Sequence, residues 1–306
     1  MANNFNIKDI TNSENNMSNN KNILDDDYYT PLTLSTQNRI YAPSKLNIKT
    51  FSMQDIRLLA LQETSYISTL CDILNKNIKE NQGEEGIIID TKKFTLNELI
   101  ELMFKFYGTF ISPTIDYNYT PTEEEINSMA DTQLKKDLIT KKWQPKIKII
   151  INNLSTYNSQ EDLNKLKLEY TYKRNSIEIK FHIITLRDYI NILEFSKYNK
   201  SQRDSSLAIR LSCINSYNSL NFSNLDINSK IELYNNNIFQ IDDFDLDNVL
   251  NYLSKINIGL RPSIKIQSPI SQKEVVFDTP SFFSINTILQ TYIFTILNEH
   301  STFTII

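Results

Sequence analysis

Histidine and cysteine, the side chains that most often act as bases, nucleophiles or zinc ligands, are scarce in this sequence. It contains two histidines, His182 and His300, and two cysteines, Cys71 and Cys213, spread along the chain. A catalytic triad or a zinc site needs several such side chains, or carboxylates, to converge. No H-E-x-x-H, C-x-x-C or G-x-S-x-G string occurs. We therefore predict no catalytic residue, no metal ligand and a function that is not enzymatic.

Phosphate-binding loops rich in glycine are excluded by composition. The chain has only 4 glycines, too dispersed for a G-x-G-x-x-G fingerprint or a Walker loop, in which glycine lets the backbone approach the phosphates. Asp242 with Asp243, and Glu84 with Glu85, are the carboxylate pairs that an acid–base mechanism would use. We assign them to loops or helix starts, where they are solvated or cap the backbone. No cofactor is predicted.

One turn has the outline of a metal-binding knuckle. Residues 267–274 read Gln-Ser-Pro-Ile-Ser-Gln-Lys-Glu, with Ser268 and Ser271 at the two cysteine positions of such a knuckle. Thiolates would hold zinc there, whereas serine hydroxyls are poor zinc ligands. The alternative, which we favour, is a hairpin turn between strands predicted at residues 263–267 and 274–278. No metal is predicted in this chain.

The bulk composition sets further expectations. Both cysteines lie in apolar helical patterns and are interpreted as reduced core thiols. The sequence shows no basic-then-apolar signal peptide and no run of about 18 apolar residues, so we expect neither export nor a membrane span. The net charge of -4 gives no electrostatic reason to expect nucleic acid. Heavy use of Asn, Ile, Lys and Tyr indicates an AT-rich genome.

Chain length and patterning predict two cores. With 306 residues, 40% of them hydrophobic and 22% charged, the sequence exceeds the size of a typical single core. The predicted fold class is α+β, mainly α, with two similar strand–helices–helix–strand units, small β-hairpins and a disordered N-terminal arm. The predicted segments are a flexible Asn-rich arm at 1–37, a first helical unit at 38–115, a connector at 116–176, a second helical unit at 177–279, and a C-terminal aromatic helix and tail at 280–306.

Helix starts are marked by short polar motifs. Ser52 and Asp55 form an S-x-x-D arrangement that resembles a capping box, and Thr95 with Glu98 forms a T-x-x-E capping box. Apolar residues from 53 to 78 follow the first motif as one stripe, which predicts a helix that ends at residues 82–86. The second motif predicts a helix over residues 96–107, with Gly108 as its left-handed C-terminal residue.

The second half repeats this pattern. Residues 94–115 and 244–264 align almost without gaps: an aromatic residue, a capping residue (Thr95 or Asp245), an apolar stripe, a lysine, a glycine (Gly108 or Gly259), and an extended segment after a proline. Strand-to-capped-helix starts at 48–55 and 179–188 precede them in the same order. We predict an internal duplication. A repeated unit with a shared interface is typical of a scaffold.

Two segments are predicted to bind partner proteins. The N-terminal arm offers apolar anchors that order on a partner, although the arm is otherwise expected to be flexible. The C-terminal helix, residues 282–299, is apolar nearly all round and must be buried, either in this chain's own core or in a partner. The predicted partner-binding residues are Tyr28, Tyr29, Leu32 and Leu34 in the arm and Phe282, Phe283, Tyr292 and Phe294 in the helix.

Several of these motifs occur in an order found in one protein family. The segment Arg39-Ile40-Tyr41-Ala42-Pro43 precedes the first strand, two capped-helix units follow, and the Ser-Pro-x-Ser turn and Phe282-Phe283 close the series. This order resembles the baseplate hub assembly family of T4-like contractile-tailed bacteriophages, over about residues 38–285. In this chain serines stand where that family has the cysteines of a Cys-Pro-x-Cys turn, so no metal site is carried over.

The resemblance implies a structural or assembly protein of a contractile phage tail baseplate, either in the hub or in hub assembly. Its expected partners are other baseplate or tail proteins, with multiple copies in a symmetric assembly, and neither a membrane nor nucleic acid is expected. The implied location is the virion tail baseplate, after synthesis in the bacterial host cytoplasm.

The alternative hypothesis is a nucleic-acid-binding accessory protein of an AT-rich virus. It depends on a basic stretch with one tryptophan, in which lysines could follow phosphates and the ring could stack on a base. The more ordinary interpretation is a solvated face with one anchoring Trp. The stretch comprises Lys135, Lys136, Lys141, Lys142, Trp143, Lys146 and Lys148.

Overall fold

The protein combines many short helices with small antiparallel sheets. The computed structural model describes residues 29–43, 45–60, 66–80, 89–199, 201–236, 241–261 and 263–278. Within these ranges lie ten α-helices and eleven short strands, which form four small sheets. The predicted class, α+β and mainly helical with small β-hairpins, is therefore confirmed. The predicted arm up to residue 28 and the predicted C-terminal helix lie outside the described residues.

The first unit is built on a three-stranded sheet whose second strand is central. Two helices connect the second strand to the third, and a longer helix and a hairpin follow. The elements are β1 (Thr30–Thr33), β2 (Lys45–Ile48), α1 (Met53–Ala60), α2 (Tyr66–Asn77), β3 (Ile78–Glu80), α3 (Leu96–Phe110), β4 (Thr114–Asn118) and β5 (Lys146–Ile150).

Three helices lie in the predicted connector. α4 (Glu123–Ser128) and α5 (Thr132–Ile139) lie between β4 and β5, so they form the long loop of the first hairpin. α6 (Gln160–Lys165) leads to the second unit. The predicted boundary after residue 115 therefore falls inside β4, because this strand pairs with β5 across the whole loop.

The second unit starts from another sheet with a central second strand. The order β6-β7-β8-β9 again has two helices between its second and third strands. The elements are β6 (Tyr170–Arg174), β7 (Ile177–Phe181), α7 (Leu186–Tyr198), α8 (Gln202–Ser212), β8 (Ile214–Tyr217), β9 (Leu220–Asn221), α9 (Ile227–Asn235), α10 (Asp243–Leu253), β10 (Ser263–Gln267) and β11 (Glu274–Asp278). The predicted boundary after residue 176 separates the paired strands β6 and β7.

The two units share one order of elements. Each runs through two antiparallel strands, two helices, a third strand beside the second, a further helix and a terminal hairpin. The second unit adds β9 and α9 before its last helix. This common order supports the duplication predicted from the sequence, and β10 and β11 have the bounds that the sequence predicts.

Other local predictions need correction. The apolar stripe from 53 to 78 belongs to two helices, α1 and α2, and Ile78 begins a strand because it pairs with Ile48. Asp242 caps α10, so the prediction that Asp245 is the cap was wrong. Gly108 lies inside α3, which continues to Phe110. A Cβ at Gly108 would lie 3.1 Å from the Ile151 side chain, so this glycine allows close packing rather than a helix stop.

The two units interlock through their cores. One core belongs mainly to the first unit and the other to the second. Leu186, the first residue of α7, is fully buried in the first core. Ile264, Ile266 and Val275 of the last hairpin also pack against that core. Consequently the second unit's helix α7 and hairpin cover apolar surface of the first unit.

Gly259 fixes a close approach between the units. Its φ is +76°, and a Cβ there would lie 2.7 Å from the carbonyl oxygen of Asn97 in the first turn of α3. Its own carbonyl accepts a hydrogen bond from the Tyr157 backbone at 2.9 Å. Only glycine combines this backbone conformation with the space available.

We expect Gly259→Ala to lower the free energy of unfolding by about 2 kcal/mol or more. Alanine disfavours the left-handed backbone conformation at this position, and its Cβ would also clash with the Asn97 carbonyl oxygen. The matched control is Gly108→Ala. There the gain in helix preference, roughly 1 kcal/mol, opposes a contact with the Ile151 side chain, so the net change should be small. Urea denaturation measures both. Equal losses in the two variants would contradict the assigned role of Gly259.

Candidate functional site

One arrangement among the described residues has the residue types of a catalytic triad. His182 follows β7, with Nδ1 2.6 Å from Asn215 Oδ1 and Nε2 2.9 Å from Asp188 Oδ2. The backbone N–H of His182 donates to the carbonyl of Cys213 at 2.9 Å. A thiol, an imidazole and a carboxylate therefore lie in one region. The geometry of each decides whether they can react.

The Cys213 thiol is not a nucleophile in this arrangement. Cys213 is fully buried, and burial raises the pKa of its thiol to about 12. The thiolate is the reactive form, so at neutral pH this thiol is inert. Its sulfur lies 3.5 Å from the Arg210 carbonyl, to which the thiol donates. Burial likewise raises the pKa of the Cys71 thiol to about 11.

Asp188 serves a structural purpose in the same cluster. Its Oδ2 accepts from the backbone N–H and the hydroxyl of Thr185 at 2.9 and 2.7 Å, which completes the capping box of α7. Burial acts to raise the pKa of this carboxyl, but hydrogen bonds from His182 and Thr185 outweigh it and lower the pKa. Asp188 is therefore an anion held by the fold.

Carboxylates at the third position of four helices face inward in the same way. We call Glu98, Glu125, Asp188 and Asp245 the capping carboxylates; they lie in the first turns of α3, α4, α7 and α10. The first three belong to full capping boxes, whereas Asp245 is preceded by the N-cap Asp242. Each also binds a residue outside its own helix. They thus join helix starts to other parts of the chain.

Glu98 and its neighbour Glu101 hold the segment that follows β1. The Thr36 hydroxyl donates to Glu98 at 3.0 Å, and the Ser35 backbone and hydroxyl donate to Glu101 at 2.9 and 2.5 Å. Lys105 forms an ion pair with Glu101 at 2.6 Å. Burial raises the pKa of Glu98, although the hydrogen bonds from Thr95 and Thr36 oppose this effect. The segment is therefore fastened to α3.

This fastening corrects the prediction for the N-terminal segment. Leu32 and Leu34 are 8% and 0% exposed and lie in the first core, so the prediction that they bind a partner was wrong. Tyr29 is half-buried, with the ammonium of Lys79 4.8 Å from its ring centre. Tyr28, and the predicted partner-binding residues Phe282, Phe283, Tyr292 and Phe294, lie outside the described residues.

The Ser-Pro-x-Ser turn binds a carboxylate. Ser268 is buried and accepts the backbone N–H of Ile270 and Ser271, both at 3.1 Å. The Ser271 hydroxyl donates to Glu125 Oε1 at 2.8 Å, and the Tyr119 hydroxyl donates to Oε2 at 2.5 Å. The serines therefore link the last hairpin to α4. In the described ranges, no group of three or more His, Cys, Asp or Glu residues is placed to hold a metal ion.

The two units contact each other where α3 and α7 begin. Thr95 and Thr185, the N-caps of these helices, form an antiparallel β-bridge, and the Leu186 N–H donates to the Phe94 carbonyl at 2.7 Å. Residues of α2 and α7 also line a small groove with a cavity volume of about 30 Å³. Its lining includes Tyr66, Ile67, Ile190, Leu193, Glu194 and Lys197.

The basic stretch lies on α5, the turn after it and β5. Lys135 is half-buried and donates to Asn127 at 3.4 Å, and Trp143 is half-buried. The other five lysines are exposed, and none forms an ion pair with a residue that the structure describes. We call these five the lysine strip: Lys136, Lys141, Lys142, Lys146 and Lys148.

A second charged surface, around the start of α10, was not predicted as a site. Asp242, Asp243 and Asp247 have side chains 56%, 74% and 54% exposed. Phe244 among them is 59% exposed. We call these four residues the acidic patch. The sequence signal was available, because aspartates surround a single aromatic residue in Asp-Asp-Phe-Asp-Leu-Asp at 242–247.

No protein family, no curated protein and no solved structure matches this chain. The described helices include none long and apolar enough to cross a membrane. The surfaces and contacts above are therefore the basis for any functional conclusion.

The link at Glu125 predicts a pH effect. Burial acts to raise the pKa of Glu125, but hydrogen bonds from Ser268, Tyr119, Thr122 and Ser271 outweigh it and lower the pKa to about 2. A lowered pKa stabilises the fold above the unfolded value of 4.5, and this contribution disappears as the pH falls from 4.5 towards about 2.

We expect Glu125→Gln to cost about 1.5–3 kcal/mol at pH 7, the value of hydrogen bonds to a charged group, and to flatten the dependence of stability on pH below 4.5. Glu124→Gln is the matched control, because Glu124 is exposed on the same helix. Denaturant unfolding at several pH values measures both. If the two variants behave alike, Glu125 does not hold the turn.

Proposed function

We propose that this chain is a structural or assembly protein of a contractile phage tail baseplate, in the hub or in hub assembly, which acts through protein–protein contacts and catalyses no reaction. The observation that carries the proposal is that the polar groups inside the fold form hydrogen bonds that hold the fold together. The capping carboxylates and the His182 cluster bind helix starts and distant segments, as a scaffold requires. Burial keeps the Cys213 thiol protonated at neutral pH.

The repeated architecture supports the same proposal. Two units with one order of elements fit the two capped-helix units of the family that the sequence resembles. The Ser-Pro-x-Ser turn forms the loop of a hairpin, at the place where that family has a Cys-Pro-x-Cys turn. Here hydrogen bonds from the turn to Glu125 supply the cross-link that a metal would otherwise provide.

The exposed surface supplies places for partners. Exposed large apolar side chains include Ile139, Tyr198 and Phe244, at 63%, 91% and 59%. Exposed apolar residues that gather into a patch with a polar rim mark protein contacts. We propose that the partners are other baseplate or tail proteins, that several copies act in a symmetric assembly, and that the chain is made in the host cytoplasm and acts at the tail baseplate.

The alternative, a nucleic-acid-binding accessory protein, is favoured by one observation, the lysine strip without ion pairs. Residues 114–150, which contain the strip, carry six lysines and six carboxylate residues, so this part of the chain has no net positive charge. Nucleic-acid sites depend on an excess of positive charge over the whole contact surface. We therefore keep protein contacts as the proposed function.

The decisive experiment is quantitative mass spectrometry of purified virions and of tail intermediates from cells that produce the phage. We expect the chain in virions if it is a structural part, and only in tail intermediates if it is an assembly factor. Deletion of its gene should stop tails before the baseplate is complete, and a plasmid copy should restore them. Absence from both fractions, with normal tails after deletion, would refute the proposal.

A further inference from the structure

The lysine strip is a concentration of positive charge on a fixed backbone. Residues 136–148 contain five lysines and one acidic residue, Asp137. The backbone N–H groups of Lys142 and Trp143 both donate to the Asp137 carbonyl, at 2.8 and 3.2 Å, so the turn folds back on α5. Ile147 and Ile149 are buried, which directs the lysines between and beside them to the exposed face of β5.

Comparison of the two hairpins shows that the lysines of the strip form no ion pair within the described part of the chain. In the second hairpin, Lys265 forms an ion pair with Glu274 of the neighbouring strand at 2.7 Å. In the first, Lys146 and Lys148 lie opposite Asn118 and Asp116 without an ion pair. The exposed face of β5 therefore presents two lysines that form no ion pair with described residues.

Apolar side chains accompany the lysines. Ile139 at the end of α5 and Ile150 at the end of β5 are 63% and 46% exposed. α5 contains no buried residue. A helix that exposes aliphatic residues beside lysines matches a protein surface with acidic and apolar groups, because aliphatic side chains gain little from phosphates.

The acidic patch has that complementary character. Asp242, Asp243, Asp245 and Asp247 share two guanidinium groups, those of Arg174 and Arg210, so this cluster has an excess of two negative charges. The Phe244 ring, 5.2 Å from the Arg174 guanidinium carbon, lies exposed between the aspartates. Aromatic residues at the centre of a charged rim are typical of binding hot spots.

We propose that copies of this chain associate head-to-tail, with the lysine strip of one copy bound to the acidic patch of the next. The two surfaces are complementary in charge and each exposes apolar groups. A contact between different surfaces of identical chains continues from copy to copy until it closes as a ring or extends as a filament. The inference deepens the proposed function and rests on it, because it names a second copy of this chain as one baseplate partner.

The experiment measures the mass of the purified full-length chain by analytical ultracentrifugation at rising protein and salt concentration. We expect species larger than a monomer at about 100 µM protein in low salt, and dissociation as salt screens the charges over a Debye length of about 10 Å at 0.1 M. Lys141→Glu with Lys142→Glu, and separately Asp243→Lys with Asp247→Lys, should each weaken association at least ~10-fold. Asp247→Lys alone is the milder second variant, because it leaves Asp243 paired with Arg210.

Mixing the two double variants gives the sharpest result. Each variant alone faces like charges and should stay monomeric. The mixture again pairs opposite charges, both between the two unchanged surfaces and between the two reversed ones, so it should regain dimers and larger species. The matched control for the lysine variant is Lys165→Glu with Lys167→Glu. It changes the net charge by the same amount at exposed residues outside the strip, so it should leave association unchanged. Circular dichroism confirms that every variant is folded.

Three outcomes would overturn the inference: a monomer throughout, association that survives both reversals, or a mixture that yields no dimer. Addition of a (dT)20 oligonucleotide tests the other class of partner. Binding of that oligonucleotide by a chain that stays monomeric, with loss of binding in the lysine variant, would assign the strip to nucleic acid. Because only the purified chain is used, failure here leaves its binding to other tail proteins, and thus the proposed function, open to the virion experiment.

Discussion

A carboxylate that faces the protein interior must be hydrogen-bonded, since an unpaired buried charge costs several kcal/mol. Glu98, Glu125 and Asp188 meet this constraint by closing the capping boxes of their own helices. Glu98 also binds Thr36 and Glu125 also binds Ser271, 62 and 146 residues away. Asp245 binds Arg174, 71 residues away. The constraint therefore turns three carboxylates at helix starts into contacts that set the tertiary arrangement.

The same constraint explains how His182 and Lys230 are held in the described part of the interior. His182 lies between Asn215 and Asp188, both of which use its ring nitrogens. Lys230 is buried, yet its ammonium donates to the carbonyls of Leu211, Ser212 and Ile214 at the end of α8. Groups that are fully hydrogen-bonded rigidify a core.

The sequence predicted features that depend on near neighbours. Capping boxes at Thr95 and Thr185 and the last hairpin were predicted correctly, because each signal lies within a few residues. The burial of Leu32 and Leu34 was not predicted, because their segment is held by Glu98 and Glu101, more than 60 residues away.

The remaining errors have the same origin. Helix α3 passes Gly108 because Ile151 packs against that glycine, a contact that no local pattern reveals. Local patterns also predicted a capping role for Asp242 and Asp243, and Asp242 is indeed the cap of α10. The exposure of Phe244 beside them could be recognised only from the fold. The sequence therefore shows that the lysine strip and the acidic patch are charged segments. Only the structure shows which of their side chains are exposed and which form ion pairs.

A common order of elements with different surface charges lets one chain carry two different surfaces. The two units keep the same order of strands and helices, so their hairpins and last helices occupy equivalent places in the topology. Yet the first hairpin exposes lysines without ion pairs, while the second pairs Lys265 with Glu274. Conversely, α10 starts with exposed aspartates, whereas the start of α3 is tied into the core by Glu98. The chain thus carries opposite charges at separate places, which is a condition for directional assembly from a single protein.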